Sequence, residues 1–411
     1  MSRLTESELG YLRKRRKTWV DGNFQEPMRS LVRAYCRAPI VLYTGAGVSI
    51  GPAKLVQGRK FGLPNWLGLL REAAGAEPEE TWPSDPWDAA DKASDMCGGT
   101  DVFKKALRTM VQQPDNYTPK NGQLRAPFVN SAPTLRSVAA FSGRLTERIF
   151  NSNAKPRANV HFRSSANPRL HAIISANYDC FLESGASSIY RKGPLKPVTA
   201  LGSSAASTTR IPVFHIHGYV PHPFWQQEDR EQAVDRLVVT REDYENVWKK
   251  DDVFGTTMGP QIHFLRYYTV LFVGFSFTDE YVNELLRRVN RDYLRHTART
   301  HFALLHEPEV RERGDRLFSE LGVTPIKYSN HDEVPDLLGR LYQAGLVADR
   351  ILDGEEPDAP TVLPEVRVKT QELTGRRYRY SHKAVWALMQ RCRNERVGFG
   401  FVDEQGETLE A

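Results

Sequence analysis

The run Ile40-Val41-Leu42-Tyr43 passes without a break into Thr44-Gly45-Ala46-Gly47-Val48-Ser49. Four consecutive apolar residues read as a strand buried on both faces. A glycine turn at its end is the usual opening of a parallel α/β domain. Such a strand needs neighbours on both sides and helices above and below. Short apolar runs recur at 172–175, 212–216, 237–240, 269–273, 302–305 and 323–327. Helical periodicity follows several of them, most clearly at 279–289 and 334–346. The expected fold class is therefore α/β, a mostly parallel sheet with helices on both faces.

Composition sets the outer limits. The chain has 411 residues, of which 40% are hydrophobic and 26% charged, enough apolar material for a large core. That excludes a disordered chain and a disulfide mini-protein. The longest apolar run, 267–277, ends at Asp279 and falls far short of the ~20 residues a membrane-spanning helix needs. The first helical segment is charged and holds no apolar leader core. Cys36, Cys97, Cys180 and Cys392 are scattered with no C-x-x-C spacing, so neither a zinc module nor a disulfide framework is read. A cytoplasmic protein with no metal is expected. The net charge of +6, from 56 Lys and Arg against 50 Asp and Glu, permits an anionic partner without requiring one.

The chain divides by pattern. Residues 1–34 form an N-terminal helical arm, with helices over 6–20 and 28–37. The run Arg13-Lys14-Arg15-Arg16-Lys17 reads as a solvated helix face that is able to touch phosphate. The main domain covers 35–348 and holds a helical insertion at about 66–170. Within the insertion, helices are expected at 66–74 and 102–112. A Pro- and Trp-rich acidic loop is expected at 77–91, and further loops around 114–133. Residues 349–366 carry Pro357, Pro360 and Pro364 and read as a linker. Beyond it, 367–396 holds nine basic residues opposed only by Glu372 and Glu395, with a short amphipathic helix at 384–391. The segment 367–411 is too small for its own core, so it reads as a short extension for assembly or partner docking.

Chemistry-bearing residues gather where strands end. Gly45, Ala46, Gly47 and Ser49 follow the first strand, and glycines there let backbone N–H groups approach a diphosphate. Asn177 and Asp179 follow the run at 172–175. His215, His217 and Gly218 end the run at 212–216. Gly274, Ser276 and Asp279 follow the run at 269–273. The carboxyl edge of an open α/β sheet is where ligands bind, so these distant segments can share one crevice. Other readings of the same residues stay open. Asn177 and Asp179 also suit an Asx turn and a helix cap. Asp279 suits an N-cap. His215 and His217 share a strand face but lack a third ligand, which disfavours a metal. Trp66 suits packing.

In this order, G-A-G-V-S at 45–49, G-L-P-N-W at 62–66, A-N-Y-D at 176–179, H-I-H-G at 215–218 and G-F-S-F-T-D at 274–279 resemble the sirtuin-like domain of bacterial defence proteins. Leu237-Val238-Val239-Thr240 followed by Asp243-Tyr244 fits the same pattern. The resemblance covers about 35–345 and implies a Rossmann-like sheet. Protein-deacylating sirtuins also carry paired zinc cysteines, absent here, and an Asp-Phe-Arg where this chain has Asn65-Trp66-Leu67. Both departures count against the peptide-binding half of a deacylase.

The resemblance implies an NAD glycohydrolase that depletes NAD in anti-phage defence, with NAD as substrate. Nicotinamide leaves cationic NAD as a neutral molecule, so no acid is needed for the leaving group, unlike the two-carboxylate pattern of ordinary glycosidases. Asn177 would position water or ribose, and His217 would act as general base near neutrality. Asp179 would hold a ribose hydroxyl or the nicotinamide amide, or favour the developing positive charge. Gly45, Ala46, Gly47 and Ser49 would cradle the diphosphate, while Gly274 and Ser276 would meet the adenosine side. The resemblance further implies a homo-oligomer and a co-encoded partner, such as a HerA-like hexameric ATPase or a short Argonaute. Nucleic-acid contact through the basic segments is a compatible addition. The alternatives are an NAD-dependent protein deacylase and a non-catalytic module sensing NAD or ADP-ribose.

Overall fold

The computed structural model describes residues 6–51, 61–77, 80–113, 116–117, 123–143, 166–190, 193–198, 210–224, 237–249, 258–296 and 300–352, together with four short strands beyond 370. Seven strands form one sheet: β1 Ile40–Thr44, β2 Leu170–Ser175, β3 Leu195–Val198, β4 Ile211–His215, β5 Val270–Val273, β6 His301–His306 and β7 Val323–Tyr328. Their order is β3-β4-β2-β1-β5-β6-β7. Every neighbouring pair is parallel. On one side of β1 the chain places β2, then edge strand β3, then β4 between them; it then crosses β1 and builds outward through β5, β6 and β7. The switch point therefore lies beside β1.

The continuous apolar character of β1 has a direct cause. Ile40 and Leu42 point into one core. Val41 and Tyr43 point into the other. The same alternation recurs in β2, β5 and β6, so both sheet faces are dry. The first core takes helices Met28–Arg37, Pro133–Phe141, Phe181–Ile189 and Glu333–Leu352. The second takes Arg241–Lys249, Met258–Tyr267, Glu280–Asp292 and Glu307–Leu321. Helix Glu280–Asp292 buries Val282, Leu285, Leu286 and Val289, the i, i+3, i+4, i+7 stripe. Burying four such side chains is worth roughly 1.5–3 kcal/mol each before entropy is subtracted.

Several expectations change. The run 237–240 is not a strand. It is a buried extended segment whose Val238 N–H meets the His217 carbonyl at 2.9 Å, with no ladder to continue it. Edge strand β3 went unread because Lys196 and Pro197 break its apolar pattern, although an edge position accepts proline. The acidic loop at 77–91 gives way to helix Pro86–Met96, capped by Asp85 with Pro86 in its first turn. Helix Ala126–Ser131, with Pro127 in its first turn, lies where loops were expected, and helix Pro133–Phe141 opens with proline at the end of that stretch. The boundary at 34/35 falls inside helix Met28–Arg37, whose Tyr35 is fully buried in the main core. Helix Glu333–Leu352 extends into the expected linker, and its Asp349 pairs with Arg169.

Past 370, Gln371–Leu373 pairs with Arg376–Tyr378, and Gly400–Val402 with Thr408–Glu410, both antiparallel. The expected helix at 384–391 and most of the linker lie outside the described residues. Among the described residues no helix is long and apolar enough to cross a membrane.

Candidate active site

Strand register brings the motifs together. Thr44 on β1 pairs with Ser175 on β2 and Val273 on β5. Ser175 in turn pairs with His215 on β4. These four residues form one row at the carboxyl edge. The glycine turn, Asn177, His217 and Gly274 all follow within two residues of that row, so they leave the sheet along one edge.

The glycines are first required by packing between two loops. Gly45 N–H donates to the Val273 carbonyl at 3.1 Å and Gly47 N–H to the Gly274 carbonyl at 2.9 Å. A Cβ on Gly45 would sit 2.5 Å from the Gly274 oxygen, and one on Gly47 2.8 Å from the Gly274 Cα. Ala46–Val48 is a single 3-10 turn, and Ser49 N–H donates to Ala46 at 2.9 Å. The amides of Gly45, Gly47 and Ser49 are thus satisfied within the protein. The expected diphosphate cradle is not needed to explain them.

Ser49 faces the catalytic candidates instead. Asn177 Nδ2 donates to Ser49 Oγ at 2.8 Å and to the Gly45 carbonyl at 3.0 Å. Ser49 also hydrogen-bonds the Asp179 carboxyl. Asp179 accepts the Phe181 N–H at 2.9 Å, starting helix Phe181–Ile189. The Asx-type turn and the site are therefore one arrangement. Asn177, Asp179 and Ser49 are all buried. Burial pushes the Asp179 carboxyl up to about 6, against the Ser49 and Phe181 hydrogen bonds that favour the carboxylate.

A test follows from that shift. Below about 3.9 both folded and unfolded Asp179 hold the proton. Between there and about 6 the unfolded carboxyl ionises while the folded one keeps its proton, so rising pH removes stability. Asp179→Asn abolishes this contribution. The stability of the variant relative to wild type should rise across pH 4 to 6, on the order of 2 kcal/mol. Urea denaturation at several pH values reads it, and a difference independent of pH would refute the burial account.

His215 and His217 do not act together. Their side chains have separate partners, and among the described residues no group of three or more His, Cys, Asp or Glu is placed to hold a metal. His215 is enclosed. Its Nδ1 donates to the Asn177 carbonyl at 3.0 Å, and its Nε2 lies 2.8 Å from Glu183 Oε1. Burial alone disfavours the imidazolium. The Glu183 charge and hydrogen bond, with the Asn177 carbonyl, outweigh it and raise the His215 pKa. The pair therefore keeps a proton between Nε2 and Oε1 and fixes the backbone of Asn177. Glu183 was missed in the sequence because nothing local marks it; it lies one helical turn beyond Asp179.

His217 Nε2 lies 3.0 Å from Asp279 Oδ2 and 3.3 Å from the Tyr244 hydroxyl. Asp279 also caps helix Glu280–Asp292, as expected. Tyr244 stacks on Tyr281 at 4.9 Å, and Trp87 from the insertion meets Tyr244 edge-on at 4.1 Å. A narrow apolar cavity lined by Ile216, His217, Val238, Tyr244, Gln261 and Tyr281 adjoins this wall. Lys104 of helix Thr100–Val111 forms a largely buried ion pair with Asp243 at 2.6 Å. Asp243 in turn holds the N–H groups of Val239 and Thr240. Trp66 packs on Tyr178, whose hydroxyl donates to Val238.

Not every candidate joins the cluster. Ser276 is exposed, bonded to Thr278 at 2.8 Å, and its carbonyl accepts from Arg313. Gly274, at φ +63°, serves the backbone contact with the glycine turn.

Residues 171–326, which span β2 to β7, match the SIR2-like domain family. The matched region contains Asn177, Asp179, His217 and the 274–279 loop, while the glycine turn precedes it. Over 188 residues the chain is 27% identical to the NAD(+) hydrolase ThsA of Bacillus cereus (strain MSX-D12). That match covers 42% of this chain and 36% of the relative's length. The matched residues include most of β2 and all of β3 to β6 of the α/β, Rossmann-like sheet, while β1 lies outside them.

Proposed function

We propose that the chain is an NAD glycohydrolase acting as an effector of anti-phage defence. The observation that carries this reading is the convergence of Asn177, Asp179 and His217 on one crevice beside the switch point of a SIR2-like sheet. The named activity of the Bacillus relative supports it. Cleavage of the nicotinamide–ribose bond releases a neutral leaving group and leaves an oxocarbenium-like ribose. Asp179 supplies a carboxyl close to that centre. The Asn177 amide orients the ribose or the incoming water, and His217 removes the proton from the attacking hydroxyl.

Regulation belongs to the same proposal. His217 is buried behind Tyr244 and the Trp87-bearing insertion, a resting arrangement suited to an enzyme that would otherwise deplete its host's NAD. We place the control in a homo-oligomer and in a co-encoded partner such as a HerA-like ATPase. The test is nicotinamide release from NAD by the purified protein, alone and with the product of the neighbouring gene. Release that His217→Ala abolishes is expected. NAD binding without turnover in every state would replace the enzyme by an NAD-sensing module.

A further inference from the structure

Asp279 does more than its position at the start of a helix requires. Its Oδ1 accepts the N–H groups of Tyr281 and Val282 at 3.0 and 3.1 Å, which completes the cap. One oxygen is sufficient for that, and Ser, Thr or Asn caps a helix equally well. The second oxygen is aimed elsewhere, at His217 Nε2. The Tyr244 hydroxyl sits against the same pair and donates to Asp279 Oδ2 at 3.4 Å. Both side chains are largely buried, at 10% and 14% exposure, so water does not replace the contact. The loop that delivers Asp279 is strained: Phe277 adopts φ +56° without being glycine. Such backbone persists where surrounding packing holds it, and Phe277 is locked against Phe272 and Phe275.

We infer that Asp279 is a positioning residue that fixes the tautomer of His217. This inference rests on the reading of His217 as the base. A carboxylate only accepts, so the Nε2 facing it carries the hydrogen. The basic lone pair is then on Nδ1, and Nδ1 is the atom that takes the proton from ribose hydroxyl or water. Tyr244 completes the arrangement by donating to the same carboxylate oxygen.

Asp279→Asn separates the two roles. The Asn Oδ1 still caps the helix, and the side chain keeps its shape. Its amide now presents N–H to Nε2, which must accept, and the hydrogen moves to Nδ1 where the lone pair was needed. Nicotinamide release should fall about a hundredfold or more in kcat, with little change in KM for NAD and an unchanged melting temperature. In wild-type protein labelled with 15N-histidine, with His217 assigned through His217→Gln, Nε2 should be the protonated nitrogen of the neutral ring. In Asp279→Asn it should be Nδ1. Turnover within twofold of wild type in Asp279→Asn, or a wild-type His217 with its hydrogen on Nδ1, would overturn the inference. The NMR readout needs no turnover. A protein that releases no nicotinamide but shows the Nε2–H tautomer would fail the functional proposal while leaving Asp279's role standing.

Discussion

Asn177→Asp, which preserves the shape of the side chain, is expected to reduce nicotinamide release on the order of a thousandfold and to destabilise the fold by about 3 kcal/mol or more. The reason lies in what surrounds the amide. Nδ2 donates to the Gly45 carbonyl and to Ser49 Oγ. A carboxylate oxygen in that place faces the carbonyl as acceptor against acceptor. Ser49 has a single hydroxyl hydrogen and already bonds Asp179, so it can satisfy only one of two carboxylates. The new charge is also buried, with Asn177 at 8% exposure. Asn177→Ala removes the donors without adding charge, so its stability loss should be smaller while turnover is lost as severely. Urea denaturation beside the release assay distinguishes the two variants. Equal stability of Asn177→Asp and wild type would show that the amide does not make these bonds in solution.

Gly274→Ala should cost about 3–5 kcal/mol and detach the glycine turn from its neighbour. Two separate penalties add. Gly274 has φ +63°, a conformation that costs an L-residue roughly 1–2 kcal/mol. Its Cβ would also stand 2.7 Å from Val48 N and 2.9 Å from the Gly47 carbonyl carbon, both backbone atoms that cannot swing aside. Gly75 supplies the control. It ends helix Trp66–Ala74 at φ +64°, and nothing lies within 4 Å of a Cβ there. Gly75→Ala should therefore lose only about 1 kcal/mol, the backbone penalty alone. Similar losses in both variants, read by denaturation midpoint, would mean that the close approach of the two loops is not real.

The sequence was most legible where local pattern and tertiary role coincide. Ile40–Thr44 is apolar on both faces because both faces are covered, and its glycine turn lies at the carboxyl edge of the sheet. Helix Trp66–Ala74 carries its own signals, the Asn65 cap and Gly75. Where the two diverge, pattern misleads. Leu237–Thr240 looks like a strand, yet its apolar side chains are buried by loop packing without a ladder. Pro86 and Pro133 read as loop markers but open helices, since a missing N–H is harmless in the first turn. For the candidate site, residue types singled out Asn177, Asp179 and His217. No sequence pattern discloses that Ser49 joins Asn177 to Asp179, that Glu183 holds His215, or that the second oxygen of Asp279 faces His217. Each is a long-range contact between side chains whose local signals were already accounted for.

The Lys104–Asp243 ion pair links segments 139 positions apart, and Arg241 adds a contact with Asp88. Asp243 organises the turn that leads to Tyr244, and Tyr244 touches His217. The insertion and the 237–244 segment are consequently one packed unit. A chimera that imports foreign helices over this crevice must import the matching turn with them. Otherwise a lysine is buried without its carboxylate, and the tyrosine beside the histidine loses its footing.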